Sequence, residues 1–421
     1  MDKIIIEGGV PLRGTIEISG AKNAALPIIA ATLLTEEKCV IKNVPSLRDV
    51  FTMIKILRSL GVKAQMDGDR ITVEPKKYKS YIADYKFVST MRASICVLGP
   101  LLAKKKQAKV SMPGGCVIGQ RPVDLHIKGL RALGARIKIE HGYIVASVKK
   151  LQGNNIFLGG AYGSSVLATS NVLMAAVLAR GRTLIENAAC EPEIIDLANF
   201  LIKMGAKING QGTPIVEIEG VKRLNGATHS VIPDRIETGT HILAAAITGG
   251  ELTIKKARLD HLSALIDKLS QIGVKVTSGN NMIHVKKKTS VLKSTDITTL
   301  PYPGFPTDMQ AQMMALLSVS EGISVLTEKI FPDRFMHVSE LNRMGANIFL
   351  EGASAIVKGT KRLSGAPVMA SDLRASAALI LAGLVAKGKT EISRIYHLDR
   401  GYERIEEKLM KVGAKIKRVK E

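Results

Sequence analysis

The chain has 421 residues, 46% of them apolar, only 4% aromatic and none tryptophan, a composition that fits a large α/β protein of two or three domains and no fibrous or disordered class. Its 60 Lys and Arg against 37 Asp and Glu leave a formal charge of +23, which calls for anionic partners. The basic residues are dispersed and lack an aromatic stacking motif, which argues against nucleic acid and leaves phosphorylated metabolites.

Apolar runs such as Ala24 to Leu34 fall short of the ~18 residues of a membrane span. The opening MDKIIIEGG has too short an apolar core for a signal peptide. A cytoplasmic protein without a membrane partner is expected.

The first predicted element is an apolar helix near AKNAALPIIAA, followed by a strand in CVIKNVP and an amphipathic helix ending in LRSLG, which leads into a β-prone stretch. The same series then recurs. Apolar helices begin near TMRASICVLGP, VLATSNVLMAA, RIETGTHILAA, TDMQAQMMALL and DLRASAALILA, and strands follow in AKVSMPG, TLIENAA, LTIKKAR, SVLTEKI and TEISRIY. Amphipathic runs close at Gly61, Gly134, Gly205, Gly273, Gly345 and Gly413, with successive separations of 73, 71, 68, 72 and 68 residues. So even a spacing marks one supersecondary unit used six times, divisible into two groups of three. Each glycine suits a left-handed helix cap, where a side chain would cost energy, and none reads as a phosphate loop.

The N-terminal ends of the apolar helices carry cations: Lys22 beside Asn23, Arg92 and Arg374, the latter two in Arg-Ala-Ser starts. Helix N-termini present free N–H groups, so cations repeated there in register point to a site for phosphate or carboxylate. The competing reading is that these cations are solvated and that Asp308 and Asp372 act as caps.

Four cysteines show neither CxxC nor metal-ligand spacing, so no disulfide framework and no metal is expected. Cys39, Cys96 and Cys190 read as small buried hydrophobes. Cys116 lies between Gly115 and Gly119 near Arg121, where its thiol could serve as acid or nucleophile; from local sequence a buried bystander is an equal alternative. His126, His337 and His397 read as structural histidines.

Together, ISGAKNAALP, TMRAS, PGGCVIGQRPVDLH, ENAACEPEI, PDRIETGT, FPTDMQAQ, RFMHVSEL, DLRASA and IYHLDRGYERIEEKL closely resemble the UDP-N-acetylglucosamine enolpyruvyl transferases from end to end. The resemblance implies an α/β fold of two similar domains, each of three βαβαββ units, with the active site in the interdomain cleft. It implies that residues 22–232 form an inserted domain carrying the Cys116 loop, and that residues 1–21 plus 233–421 form a discontinuous one. The implied reaction moves the enolpyruvyl group of phosphoenolpyruvate to the 3′-hydroxyl of UDP-N-acetylglucosamine with release of phosphate, the first committed step of peptidoglycan synthesis, and needs no cofactor.

By resemblance, Cys116 protonates C3 of phosphoenolpyruvate or attacks C2, and is the target of fosfomycin. Asp308 takes or orients the sugar hydroxyl proton, and also fits a helix cap. Lys22, Asn23, Arg121 and Arg400 match the phosphoenolpyruvate cluster, while Asp372 and Arg374 match positions near the reacting carbons. Arg92, Arg121, Pro122, Val123, Asp124 and Leu125 match the nucleotide site, and Ile330 a sugar contact. Ser165 and Val166 are kept at the nucleotide-binding turn, but Leu167 stands where many members have Gly, and Gly163 where a basic residue is common. These departures leave open a non-catalytic UDP-sugar-binding copy. The sister class acting on shikimate 3-phosphate is disfavoured by the PGGC and RPVDLH segments.

Overall fold

A computed structural model describes residues 2–76, 78–114, 123–279, 281–287 and 291–420. Contacts divide these residues into two compact units, one formed by the described residues of 2–19 with those of 233–420, the other lying within residues 20–232. Cys116, Arg121 and Pro122 lie outside the described residues.

Within the unit of residues 20–232, three four-stranded sheets repeat one pattern. In the middle one Ile82–Ala83 pairs in parallel with Gln107–Ser111, which pairs antiparallel with Tyr143–Ser147, which pairs antiparallel with Arg136–Glu140. The helix Leu98–Lys105 links the first two strands and Asp124–Ala132 precedes the last two, giving βαβαββ. Local reading of the sequence finds the two helices, the strand between them and the strand after the second; the last strand of the hairpin and the parallel first strand complete each sheet.

The other unit holds three more sheets of the same order, and the N-terminal segment serves two of them. Asp2–Glu7 inserts antiparallel between Lys389–Ser393 and Lys415–Lys420. Arg13–Glu17 pairs in parallel with Glu251–Lys255. The corresponding strand for the sheet of Cys39–Lys42 is Thr228–Ser230.

The chain passes between units at Gly20 and again at Pro233. In one unit the Asp234 amide donates to the Ser19 carbonyl at 3.0 Å, and in the other the Ala21 amide donates to the Ile232 carbonyl at 2.7 Å. Glycine is required at position 20, because a Cβ there would lie 1.7 Å from the Asn43 carbonyl oxygen.

The repeated first helices are buried on all sides, as their near-uniform apolar composition requires; in Lys22–Ala31 every residue except Asn23 is buried. The second helices keep one solvated face and end at the periodic glycines, whose φ values run from 89° to 101°. After Gly61, the Val62 amide reaches the Leu57 carbonyl at 3.0 Å, and Ala135, Ala206, Ala346 and Ala414 repeat that bond. This is the helix-terminating motif that glycine favours. Among the described residues no helix is long and apolar enough to cross a membrane, and no cluster of three or more His, Cys, Asp or Glu side chains could hold a metal.

Candidate functional site

In the unit containing residues 233–420, the polar residues gather at the N-terminal ends of the buried helices. The 3-10 turn Thr307–Met309 leads into the helix Gln310–Leu317, and Asp372 caps the helix Leu373–Val385. Asp372 Oδ1 accepts the amides of Arg374 and Ala375 at 2.7 and 3.2 Å, which is the capping role open to it.

Asp308 is not a cap. No side chain caps the helix that follows it; instead Oδ1 receives Arg334 Nη1 at 2.9 Å and Oδ2 receives Arg374 Nη2 at 2.8 Å. Burial disfavours its charge, but the two guanidiniums outweigh burial and hold the carboxyl well below the usual range. Asp308 is therefore ionised and keeps 28% of its side-chain surface open, while the arginines are 6% and 4% exposed. An oxyanion so stabilised is a weak base and a good fixed acceptor, suited to orienting a hydroxyl.

Arg374 also lies over the Tyr402 ring, 5.4 Å from its centroid. Tyr402 Oη shares a hydrogen bond with Thr240 Oγ1 at 2.9 Å and accepts Gln312 Nε2 at 3.1 Å. These contacts tie three buried helices to the base of the Asp308 pair. The guanidinium of Arg374, read from sequence as a cation for substrate anions, is thus engaged by protein groups.

Asp372 acts electrostatically on His337 and His397, and Arg400 acts on His397. Burial, reinforced by Arg334 and opposed by Asp372, pushes His337 down to about 4. Burial and Arg400, again opposed by Asp372, lower His397. Arg400 ends the 3-10 turn Ile395–Arg400 and is half-buried. Ile330 sits on the turn after Ile323–Thr327, its amide donating to Glu328 Oε1 at 2.9 Å.

In the unit of residues 20–232, Lys22 occupies the first position of its helix and pairs with Asp49 Oδ2 at 3.2 Å, both side chains being at most 10% exposed. Arg92 begins a 3-10 turn, Arg92–Val97, and not the α-helix itself, which starts at Leu98. Burial first and Arg92 second push His126 down to about 3. His126 Nδ1 meets the Asn171 side-chain amide nitrogen at 2.9 Å, so it accepts and the neutral ring carries its proton on Nε2.

Val123 and Leu125 are buried and Asp124 is exposed at the start of the helix Asp124–Ala132. Ser165 caps Val166–Ala176, accepting the Ala168 amide at 3.3 Å. Leu167 packs against the core of its unit, and Gly163 has a positive φ of 88° in a turn closed by reciprocal bonds with Gly160.

Burial pushes Cys39 up to about 11 and Cys96 up to about 12, as buried hydrophobes should behave. Cys190, two residues before the helix Pro192–Lys203, is only half-buried; burial and then Glu191 raise its thiol pKa.

The structure joins Asp308 to Arg374 directly and brings both Asp372 and Arg400 within electrostatic reach of His397. Sequence reading missed Arg334, Asp49 and Glu328. Arg334 stood within RFMHVSEL, but nothing local pairs it with a carboxylate 26 positions away.

The fold recurs in known proteins. NikO from Streptomyces tendae, an enolpyruvyl transferase, superposes with a TM-score of 0.90 at 23% identity over 99% of each chain, so the fold is that of an enolpyruvyl transferase. The family described as EPSP synthase (3-phosphoshikimate 1-carboxyvinyltransferase) matches residues 6–409. The UDP-N-acetylglucosamine 1-carboxyvinyltransferase of Desulfosudis oleivorans is 55% identical over 100% of both chains, and that of Nitratidesulfovibrio vulgaris (strain DP4) 54% identical over 99% of both. The chain belongs to the enolpyruvyl (1-carboxyvinyl) transferase family.

Proposed function

We propose that this protein transfers the enolpyruvyl group of phosphoenolpyruvate to the 3′-hydroxyl of UDP-N-acetylglucosamine, releasing inorganic phosphate. The observation that carries the reading is identity of 54–55% over full length to proteins bearing that activity in their names. The role follows as the first committed step of peptidoglycan synthesis, in the cytoplasm, with fosfomycin as an inhibitor.

In the addition step, Cys116 gives a proton to C3 of phosphoenolpyruvate while the sugar oxygen bonds to C2 and its proton leaves toward Asp308. In the elimination step C3 loses a proton, the double bond re-forms and the C2–O bond to phosphate breaks. Asp308, pinned by two arginines, is assigned to orient the hydroxyl; its low basicity means the proton moves only as the new C–O bond forms. Lys22, Asn23, Arg121 and Arg400 are assigned to phosphoenolpyruvate, with Asp49 holding Lys22 before substrate arrives. Asp372 and Arg374 are assigned to the surroundings of the reacting carbons. Arg92, residues 121–125, Ser165, Val166 and Ile330 are assigned to the nucleotide sugar.

The test is release of phosphate from phosphoenolpyruvate with and without UDP-N-acetylglucosamine, repeated after fosfomycin treatment. Release that requires the nucleotide sugar and stops on alkylation of Cys116 is expected. Tight UDP-sugar binding without release would make this a binding copy and return attention to Leu167.

A further inference from the structure

Glu328 follows the strand Ile323–Thr327 and is completely buried. Four donors converge on it: Thr299 Oγ1 at 2.5 Å and the amides of Ile330 and Phe331 at 2.9 and 3.0 Å on Oε1, and Thr307 Oγ1 at 2.8 Å on Oε2. A buried carboxylate satisfied by neutral donors is a fixed part of its surroundings.

A carboxylate accepts and does not donate, so Thr307 gives its only hydroxyl proton to Glu328. Its lone pairs are then turned to Arg334, whose Nη1 donates to Thr307 Oγ1 at 3.0 Å and to Asp308 Oδ1 at 2.9 Å. Thr299 is polarised the same way, accepting the Lys329 amide at 3.0 Å while donating to Glu328. We propose that Glu328 is a positioning residue for Asp308, acting through the Thr307 hydroxyl and the Arg334 guanidinium. This rests on the assignment of Asp308 as the acceptor for the sugar hydroxyl.

Glu328→Gln keeps the shape and reverses one bond. With its oxygen held by the two backbone amides, the new amide nitrogen faces Thr307 and donates to it. Thr307 Oγ1 then accepts from both the amide and Arg334, its hydroxyl proton loses the Glu328 acceptor, and the carboxylate charge that turned its lone pairs toward Arg334 is gone, which loosens the hold on Arg334 and through it on Asp308. Thr307→Val removes the same link from the other side.

The experiment measures kcat and both KM values for Glu328→Gln, Thr307→Val and the double variant, with thermal melts as a check on folding. Each single variant is expected to lose about tenfold in kcat with the KM for phosphoenolpyruvate within about twofold, and the double variant to fall no lower than the weaker single, because one chain of contacts is broken in each case. Wild-type kcat in folded Glu328→Gln, or losses that multiply in the double variant, would overturn the proposal. Should Glu328→Gln fail to fold, Thr307→Val decides alone, and wild-type kcat there sinks the idea. Asp308→Asn measured alongside separates the two levels: full turnover in that variant removes the Asp308 assignment itself, whatever the coupling between Glu328 and Thr307.

Discussion

Asp308 and Arg374, 66 positions apart, meet through Oδ2 and Nη2 at 2.8 Å, with the guanidinium also stacked on Tyr402. Removing Arg374 leaves a half-enclosed carboxylate with one cation in place of two. Arg374→Leu is expected to cost about 2–4 kcal/mol in urea unfolding, moderated by the residual exposure of Asp308. Arg374→Lys, which keeps the charge but loses the planar fork, should recover part of that stability and less of the turnover. Unchanged stability in Arg374→Leu would remove the pair from the framework of the unit.

Asp308→Asn tests the carboxylate itself. Turnover is expected to fall by about 100-fold or more, since an amide cannot take the hydroxyl proton. The folded pKa lies below the ordinary value, so the group contributes stability above the unfolded value of about 3.9, and that contribution is lost as pH falls through the lower folded value. Wild type should therefore show no loss from this group between pH 7 and 5 and a steep loss below about 4, absent in Asp308→Asn. Urea midpoints across that range measure it.

His126 supplies a separate slope at higher pH. Its folded pKa is pushed down to about 3, against about 6.5 unfolded. The unfolded chain then binds the extra proton, so stability falls as pH drops below about 6.5, by at most about 1.4 kcal/mol per pH unit from this group. His126→Asn should be less stable at pH 8 but show a shallower decline between pH 6.5 and 4.5. An equally steep decline would mean that other groups set the acid sensitivity.

Gly20 offers a prediction about the chain crossing. Gly20→Ala forces a Cβ into the Asn43 carbonyl, a contact neither backbone can relieve without breaking the bonds at Ala21 or Asn43. A loss of at least about 3 kcal/mol is expected. Gly68→Ala, whose glycine has a positive φ of 55° but open space around it, should cost only about 1 kcal/mol. Comparable melting temperatures for the two variants would contradict this.

Much of the architecture was written in the sequence because its causes are local. Six glycines at near-constant spacing had to terminate six helices, since only glycine takes φ near 95° without strain, and helices apolar on every face had to be interior. The cations at Lys22, Arg92 and Arg374 were visible for the same reason. The 3-10 start at Arg92 and the only partial burial of Cys190 were not. What only the tertiary structure decided were the pairings over distance: Asp2–Glu7 inserted between Lys389–Ser393 and Lys415–Lys420 at the far end of the chain, Lys22 on Asp49, and Arg334 and Arg374 closing on Asp308. A side chain's charge is a property of its residue type, but its basicity, its partner and the direction of its hydrogen bonds are set by what folding buries beside it.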